Sequence, residues 1–140
     1  MSLLDVSELE AGYETGQVLF GVDLSVEENE VVSLLGRNGA GKTTTMHALV
    51  GADVPRVFGG SMTFNGEDLR AHRNYQISDL GLSLVPEGRR CFRDLTVKEN
   101  LRLAANHAGD PLPVEEVLDQ FPELDDMRDR PSKKDRKSVV

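Results

Sequence analysis

Its 140 residues, 39% apolar and 29% charged, have the size and mixture of one globular domain. A net charge of −8, with 10 bases against 22 acids over residues 1–127, offers no basic face and argues against nucleic acid as a principal partner. No run approaches the roughly 18 apolar residues of a membrane span, no basic-then-apolar leader opens the chain, and the single Cys91 permits no internal disulfide, so a reduced, cytoplasmic setting is expected.

In chain order, residues 4–9 and 18–26 predict short strands set between turn signals. Val31-Val32-Ser33-Leu34-Leu35 is unbroken rather than alternating, which predicts a parallel strand buried on both faces. Directly after it stands Gly36-Arg37-Asn38-Gly39-Ala40-Gly41-Lys42-Thr43-Thr44, which fits G-x-x-x-x-G-K-[ST]. A helical pattern follows over 43–50, with Met46, Leu49 and Val50 on one side and Gly51 as its stop. Strand, glycine loop, helix is the order that turns backbone N–H groups inward around phosphates. Lys42 would reach the β- and γ-phosphates, and the Thr43 hydroxyl would take a position on Mg²⁺. Charge-assisted hydrogen bonds at roughly 1.5–3 kcal/mol each outweigh the helix dipole, at roughly 0.3–1 kcal/mol per exposed negative group. The bland alternative is a glycine-rich surface turn that ends in Lys, and it accounts for neither flank. The motif predicts a nucleoside triphosphate as ligand.

Farther on, Asn65-Gly66 between residues 61–64 and 67–69 predicts a hairpin. Ile77 closes a short helix, and residues 80–85 read as another buried strand, stopped by Pro86. Thr96-Val97-Lys98-Glu99 is a capping box that opens a helix through Leu101, Leu103, Ala104 and Ala105 to Gly109. A second helix spans 113–121, with Val114, Val117, Leu118 and Phe121 at helical spacing. The histidines have no metal-like spacing and read as surface residues. From residue 131 the apolar period is lost, so 131–140 is expected to be a basic, disordered tail after a domain over 1–130.

Two segments together carry a family resemblance. The glycine loop with its flanks is one; Val85-Pro86-Glu87-Gly88-Arg89-Arg90, extended by Phe92 and by Leu95-Thr96-Val97-Lys98-Glu99-Asn100-Leu101, is the other. They resemble the ATP-binding subunits of ABC transporters, within them the branched-chain amino-acid importer subunits of the LivF type, over about residues 3–130. The resemblance implies an α/β P-loop NTPase core with an N-terminal antiparallel β subdomain and the start of a helical subdomain, incomplete. It implies ATP and Mg²⁺ as cofactors, held by Gly36, Asn38, Gly39, Ala40, Gly41, Lys42, Thr43 and Thr44, with Thr44 on the α-phosphate and Tyr13 stacked on adenine. Glu87 stands where the family usually has glutamine, and the branched-chain group is similar to this sequence in carrying Glu there. It would touch both the Mg²⁺ site and the contact region for the membrane subunit. Lys42 and Glu87 are thus the expected catalytic residues, and Thr43 and Glu87 the expected metal ligands. Local sequence alone also allows Glu87 as a solvated turn residue and Tyr13 as packing on the small sheet. Cys91 falls at an aliphatic position of the family and is expected to be buried, with Arg89, Arg90 and Arg93 on a charged face.

The same resemblance implies a dimer of ATP-binding subunits docked on membrane-spanning permease subunits at the inner face of the cell membrane. There it would couple ATP binding and hydrolysis to import. Complete family members continue to a Leu-Ser-Gly-Gly signature, a strand ending in Asp-Glu, and a switch His; none occurs here. The chain is therefore expected to be truncated and deficient in hydrolysis, with an open edge along residues 31–35. Residues 82–87 end an apolar run in an acid, but no Asp precedes Glu87, so they do not replace the Asp-Glu pair. The competing expectation is a non-catalytic nucleotide-binding or interaction fragment. The transported solute is selected elsewhere and is not written in these residues.

Overall fold

A computed structural model describes residues 2–88, 90–106 and 111–132, in two compact units that divide after Leu84. The first unit is built on one antiparallel sheet. β1 (Ser2–Tyr13) turns at Glu14-Thr15 into β2 (Gly16–Glu27), with Tyr13 paired to Gly16. β3 (Arg56–Phe64) lies on the other side of β1 and is followed by β4 (Glu67–Asp68), giving the order β2-β1-β3-β4. The hairpin expected at Asn65-Gly66 is present. Both residues have positive φ, 50° and 83°, as a type I′ turn demands.

Strand β1 changes face in its middle. Leu4 and Val6 point into the core, and so do Leu9 and Ala11, although simple alternation would put the second pair outside. The register slips between Val6 and Leu9, and Glu8 there has a φ of 50°. This is a bulge that resets the side-chain parity by one residue. Opposite it, Gly60 has a φ of 83°, and a Cβ there would stand 2.4 Å from the Glu8 carbonyl oxygen. Only glycine fits that crossing.

The core of this unit gathers Leu4, Val6, Leu9, Ala11, Leu19 and Met62 from the sheet. α1 (Lys42–Leu49) adds Ala48 and Leu49, a 3-10 turn (Leu69–Ala71) adds Leu69, and α2 (Asn74–Asp79) adds Ile77. Each large aliphatic buried in this way contributes about 1.5–3 kcal/mol. The inward face of α1 is Thr44, Thr45, Ala48 and Leu49, while Met46 is exposed. Threonines therefore occupy part of the face that apolar spacing alone assigns to Met46.

Two expected strands are not strands. Residues 31–35 and 80–85 form no strand, and Val31, Leu35 and Val85 are 94%, 88% and 92% exposed. A parallel strand buried on both faces exists only between neighbours that pair its edges and layers that cover it. Among the described residues neither segment pairs with a neighbouring strand.

The second unit is helical. α3 (Val97–Ala105) begins with the predicted capping box: Thr96 Oγ1 accepts from Glu99 N at 3.1 Å, and Glu99 Oε2 accepts from Thr96 N at 2.8 Å. α4 (Val114–Gln120) follows Pro113, and α5 (Pro122–Asp125) starts at once after Phe121. Leu118 is fully buried. The chain then returns to the start of α3, where Arg130 and Arg128 carbonyls accept from Val97 N and Lys98 N at 3.2 and 3.0 Å. Pro131 bridges to Thr96, and Ser132 N donates to the Leu95 carbonyl at 2.9 Å, although the sequence assigns both residues to the tail. The rest of the expected tail, 133–140, and the expected helix stop at Gly109 lie outside the described residues.

Candidate functional site

Residues 36–44 lie at the surface of the first unit. Ala40 N donates to the Arg37 carbonyl at 3.1 Å, closing a turn in which Gly36, Asn38, Gly39 and Ala40 are all exposed. Gly41 then turns inward with a φ of 97°. A Cβ on it would stand 2.6 Å from Leu19 Cδ2, so the loop's turning point rests directly on the sheet core. Within the loop, this position alone combines a left-handed backbone with no room for a side chain.

Helix α1 starts on that glycine, which has no side chain to cap it. Its first helical bond is Thr45 N to the Gly41 carbonyl at 2.8 Å, reinforced by Thr45 Oγ1 at 3.0 Å. The N–H groups of Lys42, Thr43 and Thr44 precede any intrahelical acceptor. Among the described residues no side chain caps them, and the first turn holds no acid. Lys42 Nζ folds across the loop, donating to the Gly36 carbonyl at 2.6 Å and the Arg37 carbonyl at 2.8 Å. An ammonium has three N–H donors, so one remains. The Thr43 side chain is exposed. Thr44 is buried, and its Oγ1 lies 3.3 Å from the Tyr13 hydroxyl at the end of β1. Backbone N–H groups, an ammonium and hydroxyls converge without a carboxylate among the loop residues, an arrangement suited to an anion.

The structure thus brings together Tyr13, Gly36, Gly41, Lys42 and Thr44, with Thr43 beside them. Glu87 belongs to the second unit, where it is exposed in a bend after Pro86. That unit has a hollow of about 690 Å³ lined by Val85, Pro86, Arg90, Cys91, Arg93 and Ser132, among others. Cys91 is exposed there, not buried as its apolar position implies, because the segment around it is a surface turn and not a core element. Arg89 lies outside the described residues.

Sequence reasoning missed Asn100. Its Oδ1 accepts from Phe92 N at 2.9 Å, and its Nδ2 reaches the Phe92 carbonyl, the Thr96 carbonyl and Ser132 Oγ, each at 3.0 Å. One amide therefore ties the turn at 92–96 to the returning chain; its only sequence signal is an Asn four residues after a helix cap. Nearby, Glu115 accepts from Lys98 Nζ at 2.5 Å and from Arg128 at 3.0 Å, and Arg128 Nε donates to Asp125 at 2.7 Å. Lys98 and the Arg128 charge hold the Glu115 carboxyl below its usual pKa, and the Thr96 amide and hydroxyl do the same for Glu99. Among the described residues, no group of three His, Cys, Asp or Glu could hold a metal ion, and no helix is long and apolar enough to cross a membrane.

The sequence model of the ABC transporter family matches residues 19–139. This chain belongs to the ABC transporter ATP-binding family. It is 34% identical over 125 residues to BraG of Pseudomonas aeruginosa, a high-affinity branched-chain amino-acid transport ATP-binding protein, covering 87% of this chain and 53% of that one. It is 35% identical over 127 residues to the lipopolysaccharide export ATP-binding protein LptB of Haemophilus influenzae, covering 86% and 52%. A solved ATP-binding subunit of an ABC transporter superposes with a TM-score of 0.72 at 33% identity, covering 91% of this chain and 53% of that one. The chain spans about half the length of these relatives. The fold is accordingly a part of the ABC ATPase domain, with its antiparallel sheet, glycine loop and first helices.

Proposed function

We propose that this chain, over residues 1–130, is the nucleotide-binding N-terminal part of an ABC transporter ATPase and that residues 36–44 hold the phosphates of ATP. The uncapped start of α1 under the Lys42 ammonium carries the reading. The Lys42, Thr43 and Thr44 N–H groups donate to phosphate oxygens, the third Lys42 proton reaches the β- and γ-phosphates, and Asn38, Gly39 and Ala40 form the outer rim. Thr44 Oγ1 serves the α-phosphate, and Tyr13 supplies the face on which adenine stacks, worth about 1–3 kcal/mol by analogy with other base–aromatic pairs. The exposed Thr43 hydroxyl would hold Mg²⁺, which would draw charge from the phosphates; Glu87, in the second unit, is proposed separately as an acidic ligand. In the assembled protein, two such subunits on membrane-spanning permease subunits, at the cytoplasmic face, hydrolyse ATP to drive transport. Branched-chain amino-acid import is the proposed substrate class, supported by BraG and weighed against the LptB likeness.

A second reading is a non-catalytic nucleotide-binding or interaction fragment. Titration calorimetry with Mg-ATP tests the parent reading. Lys42→Ala should abolish binding, and equal affinity in wild type and variant would refute it. A phosphate-release assay on the same samples separates the two readings, since Lys42-dependent turnover by residues 1–140 excludes the second.

A further inference from the structure

Tyr13 and Thr44 lie 31 positions apart, yet their hydroxyls meet at 3.3 Å, one at the end of β1 and the other in the first turn of α1. Stacking on a base needs only the ring of Tyr13, so the hydroxyl contact asks for its own account. Thr44 is 5% exposed, so few water molecules reach it. Its hydroxyl has one proton and two lone pairs. A phosphate oxygen beside it only accepts, so that proton must point at the phosphate. Thr44 Oγ1 is then left as an acceptor, and the Tyr13 O–H is the donor the structure sets against it. We infer that Tyr13 O–H, Thr44 O–H and phosphate form a hydrogen-bond relay, which makes Tyr13 a positioning residue for phosphate as well as a platform for the base. Donation from Tyr13 polarises the Thr44 hydroxyl and strengthens its bond to the anion. It also holds the end of β1 at a set distance from the phosphate loop, so base and phosphate sites move together.

The inference rests on the proposed phosphate role of residues 36–44. Inorganic tripolyphosphate, which has no base to stack, provides the test on the full 140-residue chain. Tyr13→Phe should weaken its binding about 3- to 10-fold, the loss of one hydrogen bond. Thr44→Val should weaken it at least as much, and the double variant should be no weaker than Thr44→Val alone, because the relay is already cut. Far-UV circular dichroism shows that each variant keeps its fold. Unchanged tripolyphosphate binding in Tyr13→Phe, or losses that add in the double variant, would overturn the relay while leaving the phosphate site standing. Lack of any Lys42-dependent binding in the wild type would overturn the parent reading and the relay with it.

Discussion

Two helices in this chain begin in opposite ways. At the start of α3 every early N–H finds a protein acceptor: Val97 on the Arg130 carbonyl, Lys98 on the Arg128 carbonyl, Glu99 on Thr96 Oγ1. At the start of α1, Gly41 brings no side chain and the N–H groups of Lys42, Thr43 and Thr44 have no side-chain cap among the described residues. Exposed helix donors cost little in water and are an invitation to an anion. Satisfied ones hold a chain to itself. The contrast extends below the surface: α1 stands on a core of aliphatic side chains, whereas the second unit has Asn100, a capping box and the ion group of Lys98, Glu115, Arg128 and Asp125.

The sharpest way to break the comparison is at the floor of the open helix. Gly41→Ala adds a left-handed alanine and a clash with Leu19, so it should destabilise the first unit by about 2–4 kcal/mol. Tyr13 and Tyr75, the two tyrosines, both belong to that unit, so tyrosine fluorescence during urea unfolding reads it alone. Asn100→Ala should cost the second unit about 1–3 kcal/mol, seen as faster hydrogen exchange at Phe92, Val97 and Lys98, while the tyrosine transition stays put. Thr96→Ala should cost about 1 kcal/mol as a lost cap. Thr43→Ala, on the uncapped helix, should change stability by less than about 0.5 kcal/mol, and equal losses in the pair would erase the distinction between the two helix starts. Smallest is the pH effect. Glu99 and Glu115 titrate below their unfolded value of 4.5, so their stabilisation is complete above that pH and fades as pH falls through the lower folded values. Acid titration by hydrogen exchange should therefore loosen the start of α3 first, and Glu115→Gln should remove part of that dependence.

What the sequence revealed was local. The hairpin at Asn65-Gly66, the capping box at Thr96 and the glycine loop at 36–44 are short patterns whose geometry follows from their own residues. What it hid depends on partners far along the chain. The bulge at Glu8 exists because Gly60 crosses it 52 positions later, and Asn100 matters because Ser132 returns to it. Residues 31–35 show the limit most clearly. An apolar run marks a capacity for a buried strand, but pairing needs neighbours, and the same residues are exposed where none is present. At the candidate site, the sequence pattern singles out Lys42, Thr43, Thr44 and Tyr13 as side chains. It does not single out the Gly36 and Arg37 carbonyls that hold Lys42, or the link between Tyr13 and Thr44, since no pattern encodes them.

Leu19, 2% exposed and set against Gly41, would give the proposed phosphate loop a property it could not have as a free loop. Its pivot already packs on the core, so a polyphosphate bound there would forfeit less conformational entropy than one organising a floppy turn. Shaving a methyl from Leu19 would thus register as a faster ligand off-rate, a defect in recognition produced entirely by hydrocarbon.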